Sequence, residues 1–87
     1  MQVTVTRKAV KQIKKLSRAD QIAVLSKIKR IPDLYMVKHV TLLRGYSNVF
    51  RIRAGDVRIV VLKDKQVFTV VAVAHRREVY KLLKRMV

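Results

Sequence analysis

Three arginines, Arg51, Arg53 and Arg58, straddle the dipeptide Gly55–Asp56 in a stretch otherwise rich in β-branched residues. A two-residue break between two such runs reads as a tight hairpin, and glycine in the first loop position suits it. With Gly55–Asp56 as the whole loop, Ala54 pairs with Val57, Arg53 with Arg58, Ile52 with Ile59 and Phe50 with Val61. Side chains alternate across a strand. Phe50, Ile52, Ala54, Val57, Ile59 and Val61 therefore take one face and the three arginines the other. A one-residue slip would bury the guanidinium groups, so the pattern itself fixes the register. Like charges directly opposite each other on a sheet are destabilising, by up to about 1 kcal/mol. A bound phosphate relieves that repulsion, because guanidinium groups chelate phosphate with a fixed two-pronged geometry.

A second tight break at Asp64–Lys65 predicts pairings of Val61 with Phe68, Ile59 with Val70 and Arg58 with Val71. In that register Phe68, Val70, Ala72 and Ala74 join the apolar face. Val71, Val73 and His75 fall beside the arginines, and no carboxylate is expected among them. Arg76, Tyr80 and Lys84 follow at four-residue intervals on a final helix, which stacks them along one side. Such a set suits cleavage of RNA by its own ribose 2′-hydroxyl. The reaction needs a base at that hydroxyl, cations for the charge that develops on phosphorus, and an acid for the leaving 5′-oxygen. Arginine stabilises charge and hardly titrates; histidine is the side-chain type that titrates near neutrality. Tyr80 can stack on a base or share protons. A solvated basic strand face with no ligand is the simpler alternative for the same spacing.

The elements that must position these residues follow from periodicity. Gln2 to Thr6 alternate as a first strand. Thr6 can cap a helix whose apolar stripe is Ala9, Ile13 and Leu16. After a break at Ser17 to Ala19, Asp20 sits in the first turn of a second helix, a favourable place for an acid. Ile22, Leu25 and Ile28 are that helix's expected core stripe, and Pro32 is expected to end it. Val40 to Leu43 reads as a short strand, and Val49–Ala54, Val57–Lys63 and Gln66–Ala74 as a meander. Arg76 to Met86 reads as a C-terminal helix. The expected class is α+β: a β-α-α-β-β-β-α order, with a small antiparallel or mixed sheet, a helical hairpin packed on one face and a helix at the end.

Residues 1–87 are expected to form a single domain with a small core, burying roughly 60–65% of the unfolded surface. Half the residues are hydrophobic, which argues against disorder. There is no cysteine, hence no thiolate nucleophile or disulfide. The two histidines, His39 and His75, do not complete a metal site without several of the five acids, so neither metal nor cofactor is expected. No apolar run of about 18 residues exists to span a membrane, and the N-terminus lacks a secretory pattern, so the expected address is cytoplasmic. The decisive number is the net charge of +16. Self-repulsion on this scale destabilises a compact monomer and calls for a polyanionic partner, nucleic acid or acidic protein.

The chain resembles the RelE/ParE superfamily of toxins from type II toxin–antitoxin modules, and most of all the RelE-like mRNA interferases. The resemblance rests on Val3-Thr4-Val5-Thr6-Arg7-Lys8-Ala9 leading into two basic helices, on Leu42-Leu43-Arg44-Gly45-Tyr46, on the run Val49 to Val60, and on Val73-Ala74-His75-Arg76-Arg77-Glu78-Val79-Tyr80. It implies a cytoplasmic growth inhibitor, monomeric when free and held inactive by an acidic antitoxin. Its activity would be metal-independent endonucleolytic cleavage of mRNA in the ribosomal A site, which blocks translation. Carried over by position, Arg51, Arg53, Arg58, His75, Arg76 and Tyr80 would be the catalytic set, and Arg44, Arg77, Lys81 and Lys84 further RNA-binding positions. Arg51 and Arg53 stand where some active members have lysines, so the resemblance assigns no general base. Two alternatives share much of this pattern: a ParE-like toxin that inhibits gyrase without nuclease activity, and a non-enzymatic RNA-binding protein.

Overall fold

The protein is described by a computed structural model covering residues 2–36, 40–42, 48–65, 67–75 and 77–78. Strand β1 (Gln2–Val5) is followed by helices α1 (Arg7–Lys14) and α2 (Arg18–Lys29). A 3-10 segment, Ile31–Met36, comes next, and then strands β2 (Val40–Leu42), β3 (Val49–Ala54), β4 (Val57–Asp64) and β5 (Val67–His75). The five strands form one sheet in the order β1-β5-β4-β3-β2. β1 runs parallel to β5, and every other pair is antiparallel. The class is α+β, with both described helices on one face. Of the expected C-terminal helix, Arg77 and Glu78 are helical; the rest lies outside the described residues. No described helix is long and apolar enough to cross a membrane.

Both helices begin as the sequence implies. Thr6 accepts a hydrogen bond from the Ala9 amide at 3.1 Å, and Ser17 accepts one from the Asp20 amide at 3.2 Å. Each satisfies an amide that has no partner within its helix. α2 therefore starts at Arg18, inside the stretch expected to be a break. It ends at Lys29, three residues before Pro32. The Gln21 side chain on α2 donates to the Leu16 carbonyl in the link at 3.0 Å and to the carbonyl of Lys14, the last residue of α1, at 3.4 Å.

The core lies between this hairpin and the sheet. Ala9, Ile13 and Val24 pack with Ile52, Ile59, Val61, Phe68, Val70 and Val73. Full burial of each larger side chain contributes about 1.5–3 kcal/mol. The expected stripe on α2 is corrected here. Val24 is the side chain that α2 buries completely, Ile28 is partly buried, and Ile22 and Leu25 are 61% and 47% exposed. Apolar residues lie on both sides of α2, and Ala23 and Val24, which fit the sheet closely, turned inward.

The β3–β4 register agrees with expectation at every predicted pair, Arg53 opposite Arg58 included. Gly55 has φ +64, a conformation costly for any residue with a Cβ. The β4–β5 register differs. Asp64 extends β4 and pairs with Val67, so the reversal falls one residue later than expected, with Lys65 at φ 53. Val61 consequently faces Val70, not Phe68. A shift of two residues leaves the faces unchanged. A second irregularity does not: beyond Val61↔Val70 the next pair is Val60↔Ala72, so Val71 is an extra residue in β5. A bulge of one residue reverses every side chain after it. Val73 joins the helix-side core. Ala72 and Ala74 turn to the arginine face, where they cluster with Val49 and Val60.

The bulge lies where β1 runs out. β1 pairs with β5 only as far as Val70, and the Thr6 amide donates to the Val70 carbonyl at 3.0 Å. Three residues later the Val73 amide donates to the Gln12 side-chain oxygen at 2.8 Å. A side chain of α1 thus takes the place of the strand β1 no longer supplies. Replacing Gln12 by alanine leaves this amide without its partner, a loss of about 1–3 kcal/mol. Urea unfolding of Gln12→Ala should show that loss at unchanged m-value. A change under about 0.5 kcal/mol would mean that water satisfies the amide equally well.

Candidate nucleic-acid interface

The face of the sheet away from α1 and α2 carries the arginines. Arg51 pairs with Val60, and Arg53 with Arg58. Across the next strand Val60 pairs with Ala72, and Arg58 with Ala74. The bulge thus sets two alanines beside the arginines where the sequence predicted Val71 and Val73. Their methyl groups add little bulk next to the guanidinium groups. Arg53 is exposed, and Arg51 and Arg58 are half-buried.

Arg58 is held in place from below. Its Nη1 donates to the Gly55 carbonyl at 2.8 Å and to the Val57 carbonyl at 3.4 Å. The tight turn that sets the register therefore also fixes one of the guanidinium groups. A guanidinium presents its N–H donors in a planar fork of fixed geometry, so these two contacts orient the whole group.

His75 is placed differently from the expectation. It pairs with Val57, a residue of the helix-side core, so the bulge moves it off the register face of Arg53 and Arg58. It remains at the very end of β5, one residue past the Ala74 that faces Arg58, and is exposed. There it shares an open depression of about 370 Å³ with Asp56, Arg77 and Glu78. Two carboxylates thus lie around His75 where none was expected. Asp56 could have been anticipated from its place in the loop next to Val57. Glu78 comes near in the helical pair Arg77–Glu78 that follows β5. Arg77, expected to hold RNA, is exposed at the same rim. Arg44, Arg76, Tyr80, Lys81 and Lys84 lie outside the described residues.

The structure therefore brings Arg51, Arg53 and Arg58 together on one face and sets His75 and Arg77 at the end of the sheet. Guanidinium groups gathered on one face are chemically suited to an anion. If the Arg53–Arg58 apposition costs stability, Arg53→Thr should raise the thermal midpoint at low salt, and the gain should shrink in about 1 M salt. Added inorganic phosphate should stabilise the unsubstituted chain more than Arg53→Thr. Equal stabilisation of the two by phosphate would remove Arg53 from the anion site.

Comparison with known proteins adds the fold's relatives. No protein-family model matches the sequence, and no curated protein does. Solved structures do match. A chain of the RelB–RelE antitoxin–toxin complex from Methanococcus jannaschii superposes with a TM-score of 0.77 at 20% identity, over 91% of this chain and 96% of that one. The isolated E. coli RelE toxin gives 0.71 at 22% identity, over 99% and 98%. A doubly substituted E. coli RelE in the free state gives 0.76 at 22% identity, over 99% and 97%. Nearly the whole chain thus has the fold of the RelE toxins.

Proposed function

We propose that this chain, built on the RelE fold, is the toxin of a toxin–antitoxin pair and acts as a metal-independent mRNA endonuclease in the cytoplasm. The observation that carries this reading is the direct apposition of Arg53 and Arg58, with Arg51 on the same face. Two cations held opposite each other in the free protein are suited to an anion held between them. In a chain of +16 net charge the anion of first choice is a nucleic-acid backbone.

In the proposed reaction the ribose 2′-oxygen attacks the adjacent phosphorus as its proton passes to a base. The bond from phosphorus to the 5′-oxygen breaks, and that oxygen takes up a proton. The products are a 2′,3′-cyclic phosphate and a free 5′-hydroxyl. Arg51, Arg53 and Arg58 stabilise the charge on the phosphorane oxygens, a contribution that is usually the largest single one in such sites. None of them is a useful base. His75, which lines one depression with Asp56 and Glu78, is the described side chain suited to proton transfer, and Arg77 orients the neighbouring nucleotide. Arg76 and Tyr80 complete the proposed catalytic set, and Arg44, Lys81 and Lys84 extend the RNA contacts. Cleavage in the ribosomal A site, and neutralisation by an acidic antitoxin, belong to the same reading. Relatives of this fold were crystallised with RelB antitoxin.

The test is cleavage of RNA, with and without translating ribosomes, by the purified chain. Substitution of a 2′-deoxyribose at the cut site should abolish cleavage, and the upstream product should end in a 2′,3′-cyclic phosphate. Arg53→Ala and Arg58→Ala should each lower the rate about 100-fold or more. Arg53→Ala should also reduce the salt dependence of RNA binding by about 0.7 in log–log slope, one phosphate contact. Undiminished cleavage by both variants would place the chemistry elsewhere. Growth arrest with intact mRNA and a gyrase block would replace the nuclease with a protein-binding toxin.

A further inference from the structure

The outward side of α2 has a pattern that neither the core nor the arginine face uses. Ile22 and Leu25 are 61% and 47% exposed, while Val24 on the opposite side is fully buried. Arg18 and Lys29, also exposed, continue the same line. The series Arg18, Ile22, Leu25, Lys29 has steps of four, three and four residues, the spacing that keeps side chains on one seam of a helix facing another helix. Its two central positions are an isoleucine and a leucine three apart, the order favoured at the a and d positions of two-stranded pairings. The seam spans about 16 Å, or three turns.

We infer that this seam docks one acidic amphipathic helix of a partner protein. Charge selects the acidic character: residues 7–30 carry nine lysines and arginines against the single acid Asp20, and eight of the nine are exposed. A second copy of this chain would bring two +16 molecules together and is disfavoured by repulsion. RNA would take the lysines and leave Ile22 and Leu25 in water. A bilayer prefers a broad apolar face with aromatic residues, and α2 offers two aliphatic side chains. An acidic helix with apolar residues at three- and four-residue spacing covers the pair and neutralises its flanks. The inference rests on the proposed reading only in its acidic partner; the surface lies on the side of the sheet opposite the arginines.

The probe is a synthetic three-heptad peptide with leucine at the seam positions and glutamate beside them. Its control has the same composition, scrambled so that the leucines do not align. The full chain, in about 0.15 M salt, should bind the aligned peptide at least tenfold more tightly than the scrambled one. The double variant Ile22→Ser with Leu25→Ser should lose that preference, keep its fold and cleave RNA at the unsubstituted rate. Both positions are exposed, where substitutions change stability by about 0.5 kcal/mol or less. Equal binding of the two peptides would reduce the contact to general electrostatics and overturn the inference. So would phosphatidylglycerol vesicles whose binding depends on Ile22 and Leu25 when peptide binding does not. RNA cleavage is a separate readout: its absence would count against the arginine reading and leave the peptide comparison standing.

Discussion

The register of one hairpin governs this molecule. Because Gly55 accepts φ +64, β3 reverses into β4 with two residues in the loop, and Arg53 comes to lie opposite Arg58. The same register sends Ile52, Ala54, Val57, Ile59 and Val61 into the core. One register thus sets both faces of the hairpin. The hydrophobic effect on one face compels an electrostatic repulsion on the other, and burial of several aliphatic side chains at about 1.5–3 kcal/mol each outweighs a like-charge pair of about 1 kcal/mol or less.

The second hairpin refines what the first creates. Had β5 run without interruption, Val73 and His75 would stand beside the arginines. The extra residue at Val71 exchanges them for alanines and carries His75 to the rim with Asp56 and Glu78. Two residues past the bulge the Val73 amide donates to an α1 side chain, Gln12, so the basic helical hairpin meets β5 where its faces have exchanged. Bulges commonly re-aim a side chain in this manner.

What the sequence made legible, and what it hid, has a common physical origin. β3 and β4 alternate strongly between apolar and basic residues around Arg51, Arg53 and Arg58, so only one register avoids buried charge. From Val67 to Ala74 almost every residue is apolar or small, and an alternation that is absent cannot betray a bulge. Asp64 looked like a loop residue by type, yet it extends β4 because pairing with Val67 was open to it. In α2 the same ambiguity took helical form: apolar residues on two sides fit two stripes, and only contact with the sheet chose Val24 over Ile22 and Leu25. The parallel pairing of β1 with β5 joins residues more than sixty positions apart, which local patterning does not encode.

The most direct test is an NMR titration of the arginine side-chain resonances with a short RNA made uncleavable by a single 2′-deoxyribose. If the far face grips the phosphodiester, the guanidinium signals of Arg53 and Arg58 shift together and saturate at one equivalent, and those of Arg7, Arg18 and Arg30 on the helices follow only weakly. A titration in which the helix arginines respond first, with Arg53 and Arg58 unmoved, would contradict it.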